Sequence, residues 1–293
     1  MFNTLGLYLL VAMEWVNDTI INNFALSVIF FTFLLKLLTM PFDIKQRRSM
    51  GKMSAAQGEL AKIKKRYEGN AELMQKKQTE YYKKNNISPY AGCLPMIVTM
   101  LFFIVFLRGM NYWANMKSIE LFLDPSKIDS YRMLWINNIW MPDSGLSHVI
   151  MSFEQFAKLP FDNLTKFFDQ GTIDMLKTVT QETYNAKMSG VTAQFTGYMN
   201  GWFILPLLAG GSMLLTTMIQ NKLNPTQANA QGAGMTKNMM YVFSAFSVYI
   251  CITSNSAFSL YWLASNIFSM LLQIVLKKTS KDSTAQVEEG TTR

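Results

Sequence analysis

The sequence predicts an all-α integral membrane protein with five membrane-spanning helices. Three observations support this prediction: half of the 293 residues are hydrophobic, only 16% are charged, and long apolar runs recur along the chain. A helix needs about 20 apolar residues to cross a hydrocarbon core about 30 Å thick. Four runs approach that length and a fifth is shorter: 24–42, 94–110, 202–219, 257–276 and, the shorter one, 239–254.

The predicted elements follow one another in a simple order. The apolar segment at the start has no basic stretch before it and no small-residue cleavage site after it, so we expect an interfacial helix and not a signal peptide. The predicted elements are this helix (1–22), span one (23–43), a basic helical hairpin (44–92), span two (93–111), an outer loop (112–201), span three (202–220), a loop (221–237), span four (238–254), span five (257–276) and a tail (277–293).

The placement of charge predicts the orientation in the membrane. Twelve bases and only four acids lie between Lys45 and Asn86, and this excess equals the whole net charge of +8. Cytoplasmic loops of membrane proteins carry an excess of lysine and arginine. The sequence therefore predicts a cytoplasmic hairpin, an N-terminus outside and a C-terminus inside (N-out/C-in).

The basic segment is predicted to form two helices. Apolar residues recur at near-helical spacing on both sides of Glu68-Gly69-Asn70, with bases between them. Two interpretations stay open: a solvated coiled coil resting on anionic lipid headgroups, or an arm that docks on an anionic partner such as a ribosome or targeting factor. The bases assigned to partner binding are Lys62, Lys64, Lys65, Arg66, Lys76 and Lys77.

The long outer loop is predicted to form a small, partly helical cap. Amphipathic stretches near 147–158 and 161–178 are broken at Pro160 and Gly171. Amphipathic aromatic rings prefer the membrane–water interface. We expect five of them near the outer interface: Trp113, Trp135, Trp140, Tyr198 and Trp202.

Catalytic motifs are absent from the sequence. The single His148 cannot supply a multi-histidine metal site, and there is no phosphate-binding loop, nucleophile elbow or zinc-protease motif. We therefore expect neither an enzyme nor a bound metal or cofactor.

One lysine, Lys36, lies inside the first predicted span. Such a lysine costs ~2.5 to 3.5 kcal/mol on insertion scales, so it usually faces protein or a water-filled cavity. Snorkelling to the cytoplasmic interface is the alternative, because Lys36 lies only six residues before Phe42. Side chains lean toward the helix N-terminus, which is predicted to be outside, so that route runs against the lean.

Other predicted spans carry small polar side chains at helical spacing. One such stripe is commonly explained by close helix packing. Stripes on several helices beside an intramembrane cation favour a hydrated cavity. The members are Thr32 on span one, Ser212, Thr216 and Gln220 on span three, Ser247 on span four, and Tyr261 and Ser265 on span five.

Several short motifs occur in a fixed order around the predicted spans. They are Thr32-Phe33-Leu34-Leu35-Lys36 with Pro41, Ser49-Met50-Gly51-Lys52-Met53, Pro89-Tyr90-Ala91-Gly92-Cys93-Leu94-Pro95, Leu134-Trp135-Ile136, Leu205-Pro206, and Leu260-Tyr261-Trp262-Leu263-Ala264-Ser265-Asn266. Together they resemble the YidC/Oxa-type membrane protein insertases, in the short form without a large periplasmic domain. The resemblance covers nearly everything except about 60 residues of the outer loop.

The resemblance implies a membrane protein insertase and chaperone with a five-helix core and a hydrophilic, positively charged groove. The acidic outer segment of a client would be attracted by Lys36 while its apolar helix slides along spans two and four into lipid, without a nucleotide. The resemblance adds Thr99 and Trp262 to the candidate groove. It implies a multi-pass protein of the bacterial plasma membrane, with nascent membrane proteins as clients. Further implied partners are a ribosome, a targeting receptor, a Sec translocon and anionic lipids, with no specific nucleic acid.

The chain departs from the family pattern at three places. Lys36 stands where the family usually has arginine, which keeps the charge but loses the planar five-donor group. Thr99 and Leu101 stand where glutamine and proline are usual, and the insertion between Trp140 and Trp202 is longer than usual. Two other functions compete: a small transporter or channel that uses Lys36 as an intramembrane site, and an assembly scaffold that binds through the outer insertion.

Overall fold

The computed structural model describes residues 2–87, 94–195, 199–223 and 233–291. At residues 2–3, 46–51, 53–54, 94–100, 223, 233–240 and 277–291 it describes the helix without the side chains. The regular structure of these ranges is helical, with two isolated β-bridges, Met133–Ile136 and His148–Met199. The all-α prediction is confirmed.

The chain divides into two compact units. Unit 1 contains Met1–Thr32, Ile104–Gly211 and Ala245–Ala264, and unit 2 contains Phe33–Phe103, Ser212–Ser244 and Ser265–Arg293. The helices are α1 (Phe2–Val16), α2 (Phe24–Arg66), α3 (Ala71–Lys84), α4 (Leu94–Leu123), α5 (Phe153–Ala157), α6 (Gln170–Lys177), α7 (Gln181–Thr192), α8 (Ile204–Leu223), α9 (Ala233–Thr253) and α10 (Ser256–Thr291).

Helix α1 packs closely along α4 in unit 1. A Cβ atom placed on Gly6 would lie 3.1 Å from the Cβ atom of Arg108, and one placed on Gly109 would lie 2.6 Å from a methyl group of Leu9. Two glycines therefore allow the helix backbones to approach each other. A π-helical turn, Asn17–Ile21, follows α1 and ends at Asn22, whose φ is 51°.

A buried ion-pair network ties the same two helices together. The ammonium group of Lys117 on α4, which is almost fully buried, contacts the carboxylates of Glu14 on α1 and of Glu120, the latter at 3.0 Å. The indole N–H of Trp113 also donates to Glu14. A buried charge is tolerated when it is paired and hydrogen-bonded, so these contacts allow Lys117 to lie inside the unit.

Helix α2 is continuous from the first predicted span into the basic segment. Pro41 lies inside it without ending it, although proline removes one backbone hydrogen bond. The helix ends at Arg66, and the Asn70 side chain caps the next helix by accepting from the N–H of Leu73 at 3.0 Å. The two basic helices are therefore separated by the non-helical residues 67–70.

Aromatic packing forms the centre of unit 1. The Phe24 ring contacts Trp113, Tyr131 and Trp140 at centroid distances of 6.0, 5.5 and 5.2 Å. Trp113 is 0% exposed and Trp140 is 2% exposed. Both rings are therefore packed inside unit 1, because α4 continues past its predicted span and the following loop folds back over it. Their position at the outer interface stays a prediction.

The cap, residues 124–203, has a small core of its own. Helix α5 begins with a capping box between Ser152 and Gln155, and the Asp169 side chain caps α6. The Tyr184 hydroxyl donates to the carbonyl of Met151 at 2.6 Å, and burial raises the pKa of Tyr184, so it stays protonated at neutral pH. The buried apolar side chains of the cap include Phe156, Phe161, Leu164, Ile173, Leu176, Met188 and Val191.

The base of the cap is held by a buried carboxylate. Asp143 accepts backbone N–H bonds from Trp202 at 2.7 Å and Leu205 at 2.6 Å, and the indole N–H of Trp135 at 3.1 Å. The first N–H groups of a helix lack partners inside it and favour a negative charge. Asp143 therefore fixes where α8 begins.

Four helical segments are long and apolar enough to cross a membrane within the described side chains. They are Thr4–Ile21, Phe24–Lys45, Ile204–Lys222 and Ser256–Leu276, and Tyr241–Thr253 is a shorter apolar segment. The first of these is the segment assigned to the interface, so that assignment and the count of five spans stay predictions. The N-out/C-in topology is likewise a prediction. Helix α10 continues through the residues predicted as a tail.

Candidate functional site

Lys36 lies on α2, well inside the apolar segment Phe24–Lys45. Its side chain is half-buried, and the Thr39 hydroxyl contacts its backbone carbonyl at 3.4 Å. The neighbouring Leu34, Leu37 and Leu38 are exposed, as expected on a helix surface that faces lipid. The cation therefore stands beside an apolar surface, where a charge costs most.

In unit 2, the predicted polar stripe of α8 contacts a polar side chain of α10. The Asn266 side chain on α10 donates to the hydroxyl of Ser212 on α8 at 2.9 Å. The Thr216 hydroxyl donates to the backbone carbonyl of Ser212, four residues earlier, at 2.7 Å. Ser265 and Gln220 are half-buried. Polar side chains thus join α8 to α10 inside the apolar part of this unit.

Asn266 was missing from the candidate residues, although it closes the Leu260–Asn266 motif. Spacing of four residues from Tyr261 selected Ser265 in its place. Which of two adjacent residues meets α8 depends on the rotation of α10, and spacing alone does not give that rotation. The polar residue at the end of the motif was the available signal.

Unit 1 holds other candidate groove residues, and their side chains pack closely against neighbouring groups. The Tyr261 ring stacks on Phe106 at a centroid distance of 3.5 Å, and Trp262 contacts Phe258 at 5.7 Å. The Thr32 hydroxyl donates to the Val28 carbonyl of its own helix at 2.6 Å. These contacts are those of aromatic packing and of local hydroxyl bonding within a helix.

The remaining candidate groove residues are Ser247 and Thr99. Ser247 is fully buried, and its hydroxyl has no hydrogen-bond partner among the described residues. The side chain of Thr99 lies outside the described residues, as do the motif residues 89–93. Each unit by itself holds only part of the candidate set, so the hydrophilic groove stays a prediction.

The predicted partner-binding bases lie on α2 and α3. Lys64, Lys65 and Arg66 form the exposed last turn of α2, where positive charge is favoured by the helix dipole. Lys62 pairs with Glu59 and Lys77 with Glu80, each at 2.7 Å. The hydrogen bond to each glutamate raises the pKa of Lys62 and Lys77, so both remain charged at neutral pH. Lys76 is exposed.

Among the residues that the structure describes, no three histidine, cysteine, aspartate or glutamate side chains gather closely enough to hold an ion.

Comparison with known proteins gives a consistent family. The family model described as 60Kd inner membrane protein matches residues 15–283. The membrane protein insertase YidC of Clostridium perfringens is 24% identical over 249 residues, which cover 85% of this chain and 76% of that protein. The same-named protein of Chlorobaculum tepidum is 27% identical over 270 residues, or 92% of this chain and 35% of that protein.

A third relative extends the pattern. The membrane protein insertase YidC of Francisella philomiragia is 26% identical over 267 residues, which cover 90% of this chain and 35% of that protein. This chain therefore spans about a third of the length of the last two relatives and most of the first.

Proposed function

The chain belongs to the 60Kd inner membrane protein family, and on that premise we propose that it inserts client transmembrane segments into the bacterial plasma membrane and assists their folding. Several apolar helices of spanning length fit a multi-pass protein of that membrane. Relatives over most of the chain carry the name membrane protein insertase, which supports this activity over that of a transporter, a channel or a scaffold.

The proposed mechanism rests on the position of Lys36. Its cation lies within an apolar spanning segment, half-buried and next to exposed leucines. Two opposite charges 4 Å apart attract by about 1 kcal/mol in bulk water and by about 4 kcal/mol at an effective dielectric constant of 20. A cation at this depth therefore attracts the acidic outer segment of a client more strongly than a surface lysine does.

Other polar side chains of unit 2 complete the proposed groove. The Asn266–Ser212 contact and the half-buried Ser265 and Gln220 supply hydrogen-bonding groups in unit 2. A polar client segment that exchanges water for such groups loses less solvation than one that enters hydrocarbon. Partitioning of the client's apolar helix into lipid then drives insertion without a nucleotide.

Replacement of Lys36 tests this mechanism. Lys36→Glu should reduce insertion of a client with an acidic outer segment at least about tenfold, which corresponds to ~1.4 kcal/mol. Lys36→Arg should retain insertion, because it keeps the charge. Protease protection of a radiolabelled client in proteoliposomes measures both variants.

A second client serves as the matched control. The same client with its acidic residues changed to amides should insert equally well with Lys36 and with Lys36→Glu. Normal insertion of the acidic client by Lys36→Glu would contradict the charge mechanism. Ion flux through client-free proteoliposomes that disappears in Lys36→Glu would instead favour a channel or transporter.

Partner binding is proposed for the two basic helices. The exposed last turn of α2, with Lys64, Lys65 and Arg66, and the exposed Lys76 on α3 supply a cationic surface outside the apolar segments. Such a surface suits a ribosome, a targeting receptor or anionic lipid, all of which carry negative charge. A Sec translocon is a further proposed partner in client transfer.

A further inference from the structure

The side chain of a leucine in a tight turn at the base of the cap is exposed. Met133 and Ile136 exchange both backbone hydrogen bonds, at 2.9 and 2.8 Å, around the two residues Leu134 and Trp135. Leu134 has a φ of 52°, a conformation that glycine adopts far more easily in such turns. Its side chain is nevertheless 86% exposed. Neither backbone preference nor packing within the chain accounts for a leucine at this position.

A second turn displays another leucine. The N–H of Ser147 donates to the carbonyl of Ser144 at 3.1 Å, and the N–H of Leu146 donates to the Ser144 hydroxyl at 3.0 Å. Leu146 is 87% exposed. Two fully hydrogen-bonded turns therefore hold large apolar side chains away from the core of unit 1.

Both turns are attached to the start of α8. The Asp143 carboxylate accepts hydrogen bonds from the indole N–H of Trp135 in the first turn and from the backbone N–H of Trp202. In the sequence, Asp143 comes directly before the second turn. A Cβ atom placed on Gly145 would lie 3.2 Å from the Phe203 ring. We call the exposed side chains of Leu134, Leu146, Met199 and Trp202 the cap-base patch.

The length of α8 places this patch at the membrane boundary. The apolar segment Ile204–Lys222 has 19 residues, and a rise of 1.5 Å per residue gives about 28 Å. A hydrocarbon core of about 30 Å needs this whole length, so Ile204 lies at its edge. Trp202, which is 66% exposed, then lies in the interfacial layer, where tryptophan is enriched in membrane proteins.

The surface next to the patch is also apolar. Leu207 and Leu208, one turn into α8, are exposed on a segment that is long and apolar enough to span a membrane. Residues 133–137, 144–147 and 199–204 contain no charged side chain that would oppose entry into the interface. Exposed apolar side chains therefore occur both on the apolar segment of α8 and on the two turns held at its start.

We propose that the cap-base patch inserts into the interfacial layer of the bilayer on the cap side, with phospholipid as its occupant. Leu134 and Leu146 enter the boundary between headgroups and acyl chains, and Trp202 lies beside them. The rigid turns and Asp143 hold the leucines relative to α8, so the patch fixes the depth of the cap. This anchoring is independent of the insertion activity, because it needs only a spanning α8.

Spin labels on the full chain test the depth of the patch. Leu134→Cys and Leu146→Cys, each with Cys93→Ala and Cys251→Ala, are labelled with a nitroxide and reconstituted into phosphatidylcholine–phosphatidylglycerol vesicles. Glu182→Cys on α7 is the matched control, because Glu182 is an exposed and charged cap residue. Collision with oxygen should exceed collision with a water-soluble nickel chelate at 134 and 146, and the order should reverse at 182.

Two results would overturn the proposal. Equal access of the nickel chelate at 134, 146 and 182 would place the patch in water. Exclusion of both reagents at 134 and 146 would mean that protein, either a client or a second copy, covers the patch.

A glycine variant separates anchoring from folding. Leu134→Gly keeps the turn and suits its positive φ, so the thermal unfolding midpoint in detergent should stay equal or rise. The label at 146 should become more accessible to the nickel chelate, because one anchor is removed. A lower midpoint with unchanged access at 146 would show that Leu134 only stabilises the fold, and the proposal would fail.

Discussion

Asp143 illustrates how one residue positions a whole helix. Its buried carboxylate receives backbone N–H groups from Trp202, Phe203 and Leu205, together with the indole N–H of Trp135. Each hydrogen bond to a charged group contributes about 1.5 to 3 kcal/mol, and an unpaired buried charge is costly. The Asp143 carboxylate is therefore stable inside the cap only because the backbone N–H groups at the start of α8 bind it.

Gly201 is required by this arrangement, which gives a prediction at the residue scale. A Cβ atom on Gly201 would overlap the Asp143 carboxylate and lie 3.1 Å from its Cα atom. Gly201→Ala should therefore lower the free energy of unfolding by about 1 to 3 kcal/mol, the usual cost of overpacking. Thermal unfolding in detergent, followed by intrinsic fluorescence, measures the change.

Gly190 provides the control for that measurement. It lies in α7, and a Cβ atom placed there meets nothing within 4 Å. Gly190→Ala should raise stability by about 0.5 to 1 kcal/mol, because alanine favours the helix. Equal effects of the two substitutions would contradict the packing role assigned to Gly201.

At the scale of elements, α8 and α10 are linked by the Asn266–Ser212 hydrogen bond in unit 2. Apolar side chains give helices in lipid little preference for each other over acyl chains, so polar contacts help to select partners. The exposed leucines of α8, such as Leu207 and Leu215, face outward and leave Ser212 for the helix–helix contact. This contact fixes the rotation of the Ser212, Thr216 and Gln220 stripe.

A double-mutant cycle tests the link between these helices. Ser212→Ala and Asn266→Ala should show a coupling of about 0.6 kcal/mol, with about 1.7 kcal/mol as the upper range for such bonds in membranes. Thr217→Val with Asn266→Ala should be additive, because the Thr217 hydroxyl bonds the Met213 carbonyl of its own helix at 2.9 Å. Unfolding in mixed micelles measures both cycles, and zero coupling for Ser212 and Asn266 would remove the assigned contact.

The basic helices allow a second prediction at this scale. Lys64→Glu, Lys65→Glu and Arg66→Glu together should weaken binding to anionic vesicles or to ribosomes at least about tenfold, since each base near an anionic membrane surface is worth about 1 kcal/mol. Co-sedimentation at two salt concentrations measures the effect, which should shrink as salt rises. The spans should remain folded.

Lys62→Glu is the matched control for these helices. Lys62 is paired with Glu59, so its charge is already partly offset, and its reversal alone should weaken binding less than the triple change. Unchanged binding of the triple variant to both ribosomes and vesicles would leave the two helices with a structural role only.

At the scale of the whole molecule, the family match over residues 15–283 covers three of the four apolar segments in full and the end of the first, Thr4–Ile21. The cap, residues 124–203, contains the stretch between Trp140 and Trp202 that was predicted to be longer than usual for the family, and it folds around its own core of Phe156, Tyr184 and Leu176. Its core is therefore formed within unit 1.

Candidate site residues can be read from the sequence where the signal is local. Lys36 was identified because a charge in an apolar run is visible without coordinates, and Ser212 because polar residues recurred every four positions. The burial of Trp113 and Trp140 has no such local signal. Their positions depend on how the cap folds back over α4, and that contact joins residues far apart in the chain.

The sequence by itself determined the all-α membrane class, the lysine within an apolar helical segment and the family, because hydropathy, charge and short motifs are local properties of the chain. Only the tertiary structure decided that Asp143 holds the start of α8, that Asn266 meets Ser212, and that Leu134 and Leu146 stay exposed. Each of these features depends on how helices and loops rotate and pack against one another. The stabilising free energy of such packing is distributed over residues that share no pattern in the sequence.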